Sequence, residues 1–317
     1  MNSLYLDKIS VVNYKNITAA EYNLDRKINC FVGDNGIGKT NILDSIYHLC
    51  AGKSYFNSIS SQTINHDQDF MFIDGSFIKN DQEENLICSL KRGKKKTLKR
   101  NGKVYKKLSE HVGLIPLVMI SPSDRDLIQE GSSYRRKFID SIISQNNKVY
   151  LNQIINYHKV LNQRNALLKY FNRTNSFDKV NINIYNNQLF ELSIPIYETR
   201  KIFFKNFSPV FFKHYNSISQ NKEEINISFR SQLEFESLES LLENSIKKDR
   251  ILQYTSCGIH KDDLVMEING YPIKKYGSQG QQKSFLISLK LAQFDYLKSE
   301  CNSSPILLLD DIFDKLD

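Results

Sequence analysis

Gly33-Asp34-Asn35-Gly36-Ile37-Gly38-Lys39-Thr40 decides how the rest of the chain is read, because it is a complete Gly-x4-Gly-Lys-Thr phosphate loop. Ile28-Asn29-Cys30-Phe31-Val32 runs into it as an apolar stretch, which predicts a buried parallel strand. Asn41-Ile42-Leu43-Asp44-Ser45-Ile46 follows with apolar residues at helical spacing. Glycines here let backbone N–H groups curl around phosphate oxygens, and the helix start adds about half a positive charge. Gly33, Asp34, Asn35, Gly36, Ile37, Gly38, Lys39, Thr40 and Asn41 are therefore the expected triphosphate cradle. Lys39 reaches the β- and γ-phosphates in this reading, and Thr40 places its hydroxyl on Mg²⁺.

Two distant segments complete the expectation. Pro305 to Leu309 is an apolar run that reads as a central strand covered on both faces, ending in Asp310-Asp311. Asp310 suits the Mg²⁺ shell, and Asp311 suits the residue that orients or deprotonates an attacking water. An Asp is one methylene shorter than the Glu often found there, so the expected enzyme is a weak ATPase acting as a conformational switch. Upstream, Ser278-Gln279-Gly280-Gln281 forms a Ser-x-x-Gln capping box, and Phe285, Leu289, Ala292 and Tyr296 continue it as one helical face. A capped helix start is a second anion site. The fold class expected is α/β, an ABC-type P-loop ATPase head with a mixed sheet and an inserted, mainly α-helical arm.

The basic charge has a location. Net charge is +8, and ten of the seventeen residues from Lys91 to Lys107 are Lys or Arg, around two turns. Asn101-Gly102 is a type I′ hairpin signal between short alternating runs, Leu86 to Leu90 and Thr97 to Tyr105. Lys94, Lys95, Lys96, Lys99 and Arg100 are candidates for a DNA-backbone contact, as are Arg135 and Arg136 further on. From Tyr134 to Arg250 there is no glycine, and Leu151, Ile154, Leu161 and Leu168 share a helical face. Pro195 and Pro209 are expected to kink or divide the next helix. The domain reading is 1–133 for the N-terminal head with P-loop and basic hairpin, 134–250 for the arm, and 251–317 for the C-terminal head, with Asn269-Gly270 marking a second hairpin.

The five cysteines are scattered without Cys-x-x-Cys spacing, which gives no reason for a disulfide framework or a zinc site. The first residues do not form a signal peptide, and no apolar stretch approaches bilayer length, so the cytoplasm is the expected location. Three functional classes share the nucleotide motifs: a DNA-acting ATPase, a transporter-type ATPase subunit, and a DNA-binding structural protein with an incomplete ATPase.

Seven stretches, in order, resemble the RecF family of SMC-like ATPases. They are Gly33 to Asn41, Leu117-Val118-Met119-Ile120-Ser121-Pro122, Tyr134 to Asp140, Leu161 to Lys169, His260-Lys261-Asp262-Asp263-Leu264, Gly277 to Gln282, and Leu307 to Asp311. The resemblance implies ATP-dependent DNA binding at gapped or single-strand/double-strand junction DNA, with RecO and RecR, in helping to load RecA. It also implies an isologous ATP-dependent homodimer in which Ser278, Gln279, Gly280 and Gln281 serve the partner's nucleotide. Departures are Ile259 and Lys261, where the family usually has Pro and Arg, and Gln129, which sits late for a metal-sensing Gln and reads as a surface residue. Relatives continue past Leu316-Asp317 into a last strand and a γ-phosphate-sensing segment. Read as a truncation at that point, the chain is expected to leave a sheet edge uncovered and to hydrolyse poorly.

Overall fold

The computed structural model describes residues 3–220 and 222–311. The expectation attached to the end at Leu316-Asp317 lies outside the described residues. The chain forms two compact units, residues 1–124 with 290–317, and residues 125–289. These boundaries differ from the three-part division read from the sequence: the second unit takes in part of the expected C-terminal head.

The first unit opens with β1 (Leu4–Tyr14) and β2 (Ile17–Asn23), then α1 (Lys39–Ala51), which follows the phosphate loop. β3 (Phe70–Lys79), β4 (Gln82–Lys91), β5 (Thr97–Arg100) and β6 (Lys103–Val104) complete a six-stranded antiparallel sheet in the order β2-β1-β3-β4-β5-β6. Alternating side chains of β1, β3 and β4 are buried, which puts Ile9, Val11, Ile73, Leu86 and Cys88 in one core with Ile46 and Leu49 of α1. β7 (Leu117–Ile120) is buried along its whole length and pairs in parallel with a strand from the end of the chain.

The second unit begins with α2 (Asp126–Gln129), α3 (Ser132–Asn146), α4 (Lys148–Thr174) and α5 (Lys179–Ser219). β8 (Ile225–Arg230), α6 (Leu238–Leu252), β9 (Asp263–Ile268), β10 (Tyr271–Pro272) and α7 (Ile273–Tyr276) follow. α8 (Gln279–Glu300) crosses the unit boundary in the chain, and β11 (Ile306–Leu309) is the strand that pairs with β7. Ile154, Leu161 and Leu168 of α4 are buried, and α4 packs mainly against α5.

Three sequence expectations are corrected. Ile28 to Val32 is no buried strand: Ile28 is 79% and Val32 91% exposed, and no ladder partner reaches them among the described residues. A parallel strand is held by neighbours, which an apolar run cannot supply for itself. β11 is covered on one side only, with Leu308 buried but Leu307 and Leu309 partly open. Of the kink or division expected at Pro195 and Pro209, division does not occur: both lie inside one 41-residue helix, α5. Ile196, Phe203, Phe207 and Phe211 are buried along it, so packing outweighs the missing backbone donors. The arm segment also contains a strand, β8, paired with β9 from Ile225↔Ile268 to Arg230↔Asp263.

The two Asn-Gly hairpins form as read. Asn101 and Gly102, with φ of 48° and 77°, turn β5 into β6, and Asn269 and Gly270, at 50° and 77°, turn β9 into β10. Positive φ at both central positions is the type I′ geometry that matches strand twist.

Candidate nucleotide site and basic surface

The phosphate loop passes from Gly33 into α1 with its backbone exposed, and Gly38 caps the helix at φ 112°. The positive φ at Gly38 favours glycine, and a Cβ there would also meet the Asn16 amide oxygen at 2.9 Å and push that side chain aside. Asn16, in the β1–β2 turn, fixes the loop from the side: its amide donates to the Gly36 carbonyl at 2.7 Å and accepts from the Asn41 amide at 2.7 Å. Lys39 Nζ donates to the Gly33 carbonyl at 2.7 Å and the Asp34 carbonyl at 3.0 Å. The ammonium thus lies curled over its own loop. Asn35, Gly36, Gly38, Lys39, Thr40 and Asn41 line a cleft of about 600 Å³.

Asp310 reaches the same place from the far end of the sequence. The Thr40 hydroxyl donates to Asp310 Oδ1 at 2.8 Å, which brings the phosphate loop and the acidic strand terminus together as the sequence predicted. Burial raises the Asp310 pKa, with the Thr40 hydrogen bond opposing, so this carboxylate gains from a nearby cation. A hydroxyl and a carboxylate are hard oxygen donors of the kind Mg²⁺ takes when phosphate and water fill its remaining positions. The pair fits that ion. Asp311 is exposed at φ 46° and also lines the cleft.

Behind α1 lies a polar cluster with no short sequence signature. Asp44, fully buried, accepts from the Tyr14 and Ser54 hydroxyls and the Tyr55 N–H, each at 2.7 Å, and pairs with Lys15 Nζ at 2.7 Å. His48, one turn on, contacts the Tyr14 hydroxyl through Nδ1, and burial depresses its pKa to about 3, so its ring stays neutral. Lys15 also lies over the Phe56 ring and lines the cleft. This cluster anchors the buried side of α1 and the β1–β2 turn to each other.

In the second unit the Ser278 segment forms the capping box that was read. The Ser278 N–H donates to Gln281 Oε1 at 2.7 Å, and the Gln281 N–H to Ser278 Oγ at 3.2 Å. Gln279 and Gly280 stand exposed on the first turn of α8, whose buried face carries Phe285, Leu289, Ala292 and Tyr296. Gln281 Nε2 donates to Glu223 at 2.8 Å. Gln129 is half-buried, in contrast to its surface reading, and donates to Gln282 Oε1 at 2.7 Å.

The basic candidates divide on their partners. Lys94 and Lys95 are exposed in the β4–β5 turn, and Lys99 is half-exposed on β5. Lys96 instead folds back to donate to the Gly52 carbonyl at the end of α1, where burial lowers its pKa. Arg100 holds Glu84 in a bidentate pair, with Nε at 2.8 Å. Arg135 pairs with Asp263 at 2.7 Å with a side chain only 14% exposed, and Arg136 donates to the Asp262 carbonyl at 2.7 Å. These four cations are engaged by protein groups. A run of charges in sequence does not show which members have partners far along the chain. His260 is also internal: it contacts the Tyr157 hydroxyl through Nδ1 and the Thr255 carbonyl through Nε2, and burial lowers its pKa to about 4.

Comparison with known proteins agrees with this geometry. A family profile described as the RecF/RecN/SMC N terminal domain matches residues 5–317. The DNA replication and repair protein RecF of Flavobacterium johnsoniae is 57% identical over 99% of this chain and 88% of its own length. The chain belongs to the RecF family. A second RecF relative, from Parabacteroides distasonis, is 49% identical over 99% of this chain and 85% of that protein. Among solved structures, the recombination mediator protein RecF with ATP, of the RecFOR pathway, superposes with a TM-score of 0.93 at 30% identity, over 99% of this chain and 87% of that one. The Smc head domain of Pyrococcus furiosus, at a TM-score of 0.52 and 14% identity, shares the fold, over 96% of this chain and 89% of that one. The RecF-family fold is that of an ABC-type ATPase head with a helical arm, and it joins Thr40 to Asp310 across 270 positions of sequence. No helix among the described residues is long and apolar enough to cross a membrane.

Proposed function

We propose that this chain is an ATP-switched DNA-binding recombination mediator that closes as a homodimer on nucleotide at gapped or junction DNA and helps load RecA together with RecO and RecR. The observation that carries the reading is the Thr40–Asp310 hydrogen bond, which assembles phosphate loop and acidic strand end into one site. The relatives' names supply the context: replication and repair, and ATP with the RecFOR pathway for the solved structure.

In this reading Gly33 to Asn41 cradle the triphosphate, and Lys39 leaves the Gly33 and Asp34 carbonyls to neutralise its β- and γ-oxygens. Thr40 and Asp310 would hold Mg²⁺, which would supply charge neutralisation at the phosphates when bound. Asp311 orients the attacking water, its short side chain keeping hydrolysis slow enough for a switch. Ser278 to Gln281 are the anion-binding turn offered to the nucleotide of a second copy. The basic β4–β5 turn meets the DNA backbone through Lys94 and Lys95.

Sedimentation of the wild-type chain with and without a non-hydrolysable ATP tests the dimer: a twofold mass increase with nucleotide is expected, and a saturated monomer refutes it. Titration of gapped duplex DNA in the ATP, ADP and nucleotide-free states tests the switch. Strongest binding with ATP is expected. Nucleotide-independent binding favours a structural DNA-binding protein, and no binding in any state favours a transporter-type module. Double charge reversal, Lys94→Glu with Lys95→Glu, is expected to weaken DNA binding and to flatten its log–log salt dependence by about one unit per lost phosphate contact. Unchanged affinity and slope would move the DNA surface elsewhere.

A further inference from the structure

One wall of the cleft is the phosphate loop. Another is the segment after Ile64, where Asn65, His66 and Asp67 line the same space. An amide, an imidazole and a carboxylate are poor phosphate ligands as a set, since the Asp67 charge repels a triphosphate. They suit ribose hydroxyls and the edge of a base.

This wall has no helix or strand of its own from Asn65 to Asp69; its Asn65 N–H donates to the Asn13 carbonyl of β1 at 2.9 Å, and most of its carbonyls are held by one residue of the basic turn. Arg92 donates through Nε to the Gln68 carbonyl at 2.8 Å and through Nη2 to the Asn65 and His66 carbonyls at 3.0 and 3.3 Å. Its own N–H donates to the Asp69 carbonyl at 2.8 Å. Four carbonyls of a five-residue segment thus converge on a single residue, and only a planar fork of donors holds three of them at fixed separation.

We infer that Arg92 is a positioning residue for the nucleoside end of the cleft, setting Asn65, His66 and Asp67 against the ribose and base while Lys39 and the phosphate loop hold the triphosphate. The inference rests on the nucleotide reading above. It also removes Arg92 from the polyanion surface in which its neighbours Lys94 and Lys95 stand.

The test compares two ligands on the full chain by calorimetry, ATP and inorganic tripolyphosphate, in the wild type, Arg92→Gln, Arg92→Lys and Lys39→Met. Arg92→Gln is expected to weaken ATP about tenfold with tripolyphosphate unchanged, and Arg92→Lys to fall between it and wild type. Equal losses for both ligands, or an unchanged ATP affinity in Arg92→Gln, overturn the assignment. A thermal melt on each variant separates misfolding from loss of positioning, and a folded Arg92→Lys protein identical to wild type in both affinities also overturns it. If the wild type binds neither ligand, or Lys39→Met keeps full tripolyphosphate affinity, the nucleotide reading itself fails, and the assignment with it.

Discussion

Lys39→Met is expected to lower ATP affinity by at least about a hundredfold while leaving the fold intact. The ammonium already accepts confinement among polar groups, since it donates to the Gly33 and Asp34 carbonyls. Exchange of those neutral carbonyl acceptors for anionic phosphate oxygens adds ion–ion attraction to two ammonium hydrogen bonds, and bonds to charged groups are worth roughly 1.5–3 kcal/mol each. Methionine keeps the stem and deletes the charge. α1 should survive the change, because its hold on the core comes from Ile42, Ile46 and Leu49, all buried. Titration of a fluorescent ATP analogue measures the loss. Thermal melting supplies the control: nucleotide raises the melting temperature of the wild type and leaves that of the variant unmoved. An affinity within threefold of wild type would remove Lys39 from the site.

A comparable effect, on stability instead of ligand, is expected at the pair between Arg164 and Asp249. Both side chains are fully buried, with Arg164 Nη1 2.8 Å from Asp249 Oδ2. Arg164 also donates to Asn186 and Thr255, and Asp249 Oδ1 accepts from the Ser256 N–H and hydroxyl. Asp249→Ala strands a buried guanidinium and takes the acceptor from two donors of half-buried Ser256. A buried charge that loses its partner costs about 3–5 kcal/mol. For a chain of this size that corresponds to a melting temperature lower by roughly five to seven degrees. The double variant Arg164→Met, Asp249→Leu should recover much of the loss, since removing both charges also removes their desolvation cost. A single-variant loss under 1 kcal/mol in denaturant titration would show that water enters this network.

What could be read in advance was local in the chain. The phosphate loop, the Ser278–Gln281 box and the two Asn-Gly turns are each specified by neighbouring residues, and each formed. Asp310 was legible because an apolar strand ending in a carboxylate has few other uses beside a phosphate loop. The misreadings share one cause, that the deciding partner lies far along the sequence. Arg135 and Arg136 look like a free basic pair until β9 brings Asp262 and Asp263 against them. Lys96 reads as one more surface cation, yet it closes the end of α1. Asn16 and the wall from Asn65 to Asp67 carry no motif, because their place in the cleft is set by the β1–β2 turn and by Arg92. Ile225 to Arg230 alternates as a strand should, but it is six residues inside a long helical stretch and becomes a strand only by pairing with β9.

The undivided course of α5 bears on how the molecule is made. Each internal proline costs an isolated helix about 3 kcal/mol, so a free peptide of residues 179–219 should break into short segments. The rod depends on surfaces supplied by α4, α6 and β8, two of which leave the ribosome after it. A nascent chain ending at Ser219 has α4 to pack on but lacks α6 and β8, so the full support for an unbroken α5 is expected only once those downstream partners have been synthesised.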